Sequence, residues 1–329
     1  MDVLTHAVLG ALSASALRAK SPRYRTAAIG AISALLPDLD VFIRSAEDPL
    51  LVLEYHRHFS HSLLFAPLGA VLATFLLWPL WRNHFTRLRA YSISLTGYIS
   101  ACLLDACTSY GTYLLWPLPF EAVALSIVAV IDPAFTLVLA IALIFSLARK
   151  PAAVYGIFAG ILYLVAFGGL QHKRAHQTAK NWATERQMMD ARIEVKPTLA
   201  NLLLWRTLVV HQNQIYANAV FLPPFGEAMW YEGASRALFD PNTYPKESRA
   251  YKDLQRFYHL TNGMLIADPD NPQRIGDGRY AMLPHSLVPL WGIEINISKP
   301  DETPKFFTQR DNSPMVRNTF LQMLFGRPL

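Results

Sequence analysis

Apolar positions are distributed differently in the two halves of the chain. Up to residue 170 they form long runs, approximately 3–17, 26–43, 62–81, 90–108, 133–148 and 152–170. Each is near the ~20 residues that cross a hydrocarbon core, and together they predict about six spans. Asp132-Pro133 interrupts the fifth run. Asp favours the N-cap and Pro the first helical position, so a helix is expected to start there, with 122–131 left as a strand or interfacial segment. The sixth run passes directly into the polar, helix-favouring HKRAHQTAKNWATERQMMDAR, which predicts a helix continuing from membrane into solvent.

Beyond Pro197 the runs shorten. LLLWRTLVV and QIYANAVFL flank HQNQ as a hairpin, YKDLQRFYHLTNG reads as an amphipathic helix stopped by Gly263, and RYAML and WGIEINIS read as strands. The expected fold class is therefore mainly α: a polytopic membrane helical bundle over residues 1–170, followed by an extramembrane α+β domain over 171–329.

Composition agrees with this division. Of 329 residues, 52% are hydrophobic and 16% charged, against roughly a quarter charged in soluble domains. Residues 1–170 hold 11 Lys and Arg with 9 Asp and Glu, whereas 171–329 hold 19 and 15. The net charge of +6 is spread among alternating signs, with no basic block that would suggest nucleic acid. Cys102 and Cys107 define no disulfide framework. The opening MDVLTHAVLG lacks the features of a cleaved leader, so the apolar runs are expected to be retained.

Orientation is read from the links between runs. Arg18, Lys20, Arg23, Arg25, Arg82, Arg87, Arg89, Arg149 and Lys150 follow runs one, three and five, whereas only Arg44 and Arg57 follow runs two and four. With six crossings, the positive-inside rule puts both termini outside, and the C-terminal domain is expected to be periplasmic or extracellular.

That topology brings His6, Asp38, Asp40, His56, His58, His61, Asp105 and Asp132 to one membrane face. Ionisable residues in spans are costly and need partners, so their convergence suggests a site. Pro37 tends to end the second helix, and in extended chain Asp38 and Asp40 would point the same way. His56 and His61 would lie about 140° apart on one helix, so they meet only if His56 precedes the helix carrying His61. Imidazoles with carboxylates suit a divalent metal, zinc above all, with manganese and iron as alternatives. The blander reading, a cap or a hydrogen-bonded core residue, is preferred for His58, His84 and Asp132. Arg57 either holds a substrate anion or pairs with Glu54. Trp78, Trp81, Tyr110, Tyr113 and Trp116 read as interfacial belts. Ser60 and Ser62 lack a nucleophile elbow, and no phosphate-binding glycine loop is present.

Thr5-His6 with Gly10, Pro37-Asp38-Leu39-Asp40, His56-Arg57-His58-Phe59-Ser60-His61-Ser62, Asp105 within LLDACTSYGT, IDPAFTL around Asp132 and PTLANLLLWR from Pro197 form an ordered series. It resembles the YdjM-like family of bacterial membrane-bound metal-dependent hydrolases over about the first 210 residues, with Ser60 where that family more often has Thr. The resemblance implies His6, Asp38, Asp40, His56, His61 and Asp105 as metal-site residues in an inner membrane protein. The expected activity is hydrolysis of a lipid or other amphiphile by a metal-activated water, at the outer membrane-water interface. Asp38, Asp40 or Asp105 could serve as base and Arg57 could hold an anionic group. The rival readings are a structural metal with a partner-binding outer domain, and a transporter.

Overall fold

The computed structural model describes residues 1–17, 23–148 and 151–329. They form two compact units. The first comprises Met1–Ile43, Tyr55–Leu170 and Leu199–Leu202, and the second Arg44–Glu54, Gln171–Thr198 and Leu203–Leu329.

The N-terminal helices are α1 (Val3–Ala16), α2 (Arg23–Leu35), α3 (Leu51–Tyr55), α4 (Ala66–Leu76), α5 (Trp78–Trp81), α6 (Arg87–Ala106), α7 (Pro133–Ala148) and α8 (Pro151–Leu162). Short 3-10 turns occupy Pro37–Phe42 and Phe59–His61, and a π turn joins α8 to α9 (Gly169–Glu185). Asp2 caps α1 by accepting from the Thr5 amide, and Asp132 caps α7 by accepting from the Phe135 amide. In the first unit α1, α2 and α6 meet through glycines. A Cβ on Gly97 would lie 2.3 Å from the Gly30 carbonyl oxygen, and one on Gly30 would lie 2.4 Å from that of Gly10. Only bare backbone permits such an approach.

A consequence can be measured in melting curves. Gly30→Ala places its methyl against backbone and is expected to cost about 1–3 kcal/mol by overpacking. Gly169→Ala meets nothing closer than 3.8 Å and should be neutral or gain up to about 1 kcal/mol of helix propensity. Equal melting temperatures for the two variants in detergent would refute the close-packed seam.

The expected six-span bundle is not what the chain forms. Among the described residues one helix, Pro151–Glu185, is long and apolar enough to cross a membrane; its most apolar stretch is only 22% buried. A bent pair, Leu51–His61 with Ala66–Leu76, meets at 87° and counts at most as one broken span, while Val3–Ala16 and Pro133–Ala148 are shorter apolar helices. The reasons are local. Pro37 ends the second run after a 13-residue helix that opens on Arg23 and Arg25. The third run breaks between α4 and α5 at Leu77. Without six crossings the basic links after runs one, three and five no longer fix an orientation; Arg18, Lys20, Arg149 and Lys150 lie outside the described residues. Segment 122–131 contributes an isolated bridge, Thr112 to Val123, rather than a strand.

The second unit is the expected α+β domain. A five-stranded antiparallel sheet contains β1 (Arg192–Pro197), β2 (Leu204–His211), β3 (Gln214–Phe221) and β4 (Met229–Tyr231) in that order, with β5 (Ser235–Ala237) also paired to β3. The β2–β3 hairpin turns on Gln212 and Asn213, whose φ values of 47° and 63° suit the twist of a two-residue turn. After α10 (Arg249–Leu260) a second antiparallel sheet runs β6 (Leu265–Ala267), β7 (Arg274–Asp277), β8 (Trp291–Glu294) and β9 (Lys305–Thr308), and α11 (Pro314–Leu324) follows. Gly263, at φ 75°, follows α10 as its sequence suggests. RYAML is not a strand: Arg279 folds back onto both Asp277 carboxylate oxygens and the Leu260 carbonyl. Leu50 is fully buried with Leu254, Phe257 and Ile293, and Arg256 pairs with Asp48 and Glu54, which secures Arg44–Glu54 within this unit.

Candidate functional site

Five segments of the first unit bring the site together. His6 lies on α1 one turn before the Gly10 contact, Asp105 lies in the last turn of α6, the 3-10 turn after α2 carries Asp38 and Asp40, and the chain from Tyr55 to His61 supplies His56, Arg57 and His61. The loop after α6 adds Thr108 and Tyr110. The expectation that Asp38 and Asp40 share a direction fails because Pro37–Phe42 is a 3-10 turn, not extended chain. At three residues per turn, positions two apart diverge by about 120°.

Asp38 faces His6 and His61. Its Oδ2 lies 3.0 Å from His6 Nδ1 and its Oδ1 lies 3.4 Å from His61 Nε2. Asp105 closes the group, with Oδ1 3.2 Å from His6 Nε2 and Oδ2 3.0 Å from His61 Nε2. His6, Asp38 and Asp105 each offer a donor atom within 4.8 Å of the others. His6, His61 and Asp105 are completely buried; Asp38 keeps a side-chain exposure of 24% and forms the opening. The Met1 amino nitrogen also contacts Asp105.

Asp40 turns the other way and gathers donors. Its Oδ2 accepts from the Arg57 amide at 2.8 Å and the Ser60 hydroxyl at 2.9 Å, and lies 3.1 Å from His61 Nδ1. Its Oδ1 lies 3.0 Å from His56 Nδ1. Arg57 adopts φ 59°, which a non-glycine residue holds only when its surroundings compel it. Burial opposes ionisation of both turn carboxyls. The close approach of His6 and His61 holds Asp38, and that of His56 and His61 holds Asp40, below the ordinary carboxylate range.

The sequence-derived candidates thus divide. His6, Asp38 and Asp105 come together with His61 Nε2 beside the two carboxylates, whereas Asp40 and His56 form the layer behind His61. Arg57 does not take Glu54. Its guanidinium places Nη2 3.0 Å from Asp105 Oδ1, donates from Nη1 to Thr108 Oγ1 at 2.6 Å, and lies over the Tyr110 ring. Tyr110 also packs edge-on to His56, and His58 sits among Tyr55, Phe59, Tyr113 and Trp116. Tyr110, Tyr113 and Trp116 therefore support the histidine segment, a role not drawn from their interfacial appearance. Ser60, Thr108 and Tyr98, which donates to the Ser60 carbonyl at 2.7 Å, were missed as site residues. For Ser60 and Thr108 a signal was available, since small hydroxyls beside the motif histidines and acid can complete buried networks; Tyr98 carried none.

The donor set fits a cation. His6 Nε2, His61 Nε2 and Asp105 Oδ2 are buried and make no hydrogen bond, although His61 Nε2 lies 3.0 Å from Asp105 Oδ2 and His6 Nε2 lies 3.2 Å from Asp105 Oδ1. A neutral imidazole has one N–H. If His6 spends it at Nδ1 on Asp38 and His61 at Nδ1 on Asp40, each Nε2 directs a lone pair toward Asp105. Lone pairs facing carboxylate oxygens in a buried space are satisfied by a cation between them or by a second proton on each ring.

No curated protein and no solved structure matches the chain. The model of the YdjM inner membrane protein family matches residues 1–175, a stretch containing all the converging side chains. More than half of the sequence is covered, and the chain belongs to the YdjM inner membrane protein family.

Proposed function

We propose that the protein is a membrane-bound, metal-dependent hydrolase acting on a lipid or other amphiphile. The observation that carries this reading is the buried, unsatisfied trio of His6 Nε2, His61 Nε2 and Asp105 Oδ2 beside the partly exposed Asp38. These four residues would hold a divalent cation. Mixed imidazole and carboxylate donors suit zinc, with manganese and iron as alternatives. Such an ion supplies Lewis acidity to a substrate oxygen and makes water acidic enough to act near neutral pH.

The surrounding residues would do the rest. Asp40 fixes the His61 ring by accepting at Nδ1, the outer-layer arrangement that orients metal-binding histidines. Arg57 neutralises and positions Asp105. Leu39, Val41 and Phe42, exposed around the two acids, offer apolar surface beside the opening at Asp38, which favours an amphiphile over a small polar metabolite. Nucleic acid is not an expected partner.

Elemental mass spectrometry of detergent-purified protein, followed by a fluorogenic phospholipid and ester panel, tests both parts. Stoichiometric metal and hydrolysis lost together on chelation are expected. Well-folded protein without metal, even after reconstitution, would mean that protonated imidazoles satisfy the carboxylates and would overturn the reading. A bound metal with no hydrolysis of any amphiphile would leave a structural metal site.

A further inference from the structure

The loop between β3 and β4, Leu222-Pro223-Pro224-Phe225-Gly226, carries a phenylalanine 93% exposed. A single exposed apolar side chain is ordinary; its place in the fold is not. The apolar run of the long helix Pro151–Glu185 ends at Leu170, itself 55% exposed, and the following Gln171 and Arg174 hold the loop. Gln171 Nε2 donates to the Leu222 carbonyl at 2.9 Å, and Arg174 Nη1 donates to the Pro223 carbonyl at 2.8 Å. Four residues of helix rise only about 6 Å. The loop is therefore tied to the end of a largely unburied apolar helix, in a protein whose family resides in a membrane.

The loop's own chemistry suits that depth. Backbone entering a lipid boundary must not carry unsatisfied polar groups. Pro223 and Pro224 have no amide hydrogen, the Leu222 amide donates to the Leu203 carbonyl, and the carbonyls of Leu222 and Pro223 already have donors. Behind the loop, Gly326 lies against the Phe221 ring, and the neighbouring Phe325 is 65% exposed under the Arg327 guanidinium. Phenylalanine on the buried side with arginine on the water side is the pattern of surfaces that lie in the headgroup boundary.

We propose that Phe225 and its diproline loop insert into the headgroup boundary of the bilayer, forming a second lipid contact for the C-terminal unit beside the helix. The proposal is independent of the metal reading.

Nitroxide labels test it in full-length protein reconstituted in vesicles of phosphatidylethanolamine and phosphatidylglycerol. They are placed by Phe225→Cys, by Ile161→Cys within the apolar run and by Lys246→Cys on an exposed charged position. Unsubstituted protein gives the background from Cys102 and Cys107. Collision with oxygen exceeding collision with a water-soluble nickel chelate is expected at 225, as at 161 and opposite to 246. A label at 225 that behaves like 246 while 161 reads as lipid overturns the proposal and leaves the span intact. Exclusion of both reagents at 225 would mean protein covers the loop, which also overturns it. If 161 too reads as water, the helix is not embedded and the proposal falls with it.

Discussion

His61→Ala is expected to abolish stoichiometric metal, lowering affinity by more than the 10- to 100-fold typical of outer-layer changes. The side chain is completely buried. Its Nε2 faces Asp105 and Asp38 at 3.0 and 3.4 Å while Nδ1 meets Asp40 at 3.1 Å. Alanine therefore removes a donor directly and releases the carboxylate behind it. His6→Ala should do the same from the α1 side, whereas His56→Ala, whose ring contacts Asp40 alone among the site carboxylates, should retain the metal with reduced affinity. Elemental analysis of the three variants, after checking secondary structure, separates these roles. Equal metal loss in His56→Ala would return His56 to the ligand set; full metal in His61→Ala would remove His61 from it. Because a ligand that binds only the folded state stabilises it, wild type should also lose melting temperature on chelation and His61→Ala should not.

The neighbours of the site were easier to read in the amino-acid pattern than the architecture that holds them. His6, Asp38, Asp40, His56, His61 and Asp105 are grouped in sequence through a six-span topology that the chain does not form, yet the reason behind the grouping, that ionisable residues within apolar runs need partners, still applies. Their division of labour was not readable, since it depends on a 3-10 turn replacing extended chain after Pro37. That change sends Asp38 toward His6 and Asp40 toward the Arg57 amide. The six-span expectation failed for a different reason. An apolar run records removal from water and does not say whether lipid or protein takes water's place. In α1, Leu12 and Ala14 are wholly buried, and the Gly10, Gly30 and Gly97 seam is a protein-protein contact made from the same small apolar residues that a hydropathy window counts toward a span. The second unit followed more closely where a local turn decided the outcome, as at Gln212-Asn213. It departed where Arg279 found a long-range acceptor at Leu260.

Asp40→Ala is expected to damage the fold more than any ligand substitution at Asp38. Asp40 is 3% exposed and receives the Arg57 amide, the Ser60 hydroxyl and the His56 ring, with His61 beside them. A buried donor left without its acceptor costs about 1–3 kcal/mol. Removing the carboxylate strands two buried donors, one of them the amide of a residue held at φ 59°. The combined loss should reach about 3–5 kcal/mol, the range for breaking a buried charged network by deleting one member. Asp38, partly exposed and bonded to histidines alone, should cost much less when changed to Asn, although its metal affinity should fall. Denaturant titrations in mixed micelles, performed on metal-free protein, compare the two without the ligand's contribution. If Asp38→Asn destabilises the metal-free protein as much as Asp40→Ala, Asp40 is not the organising carboxylate. If Asp40→Ala unfolds first and Asp38→Asn loses metal with its metal-free stability intact, the two acids of one PDLD motif do separate work because a single turn points them apart.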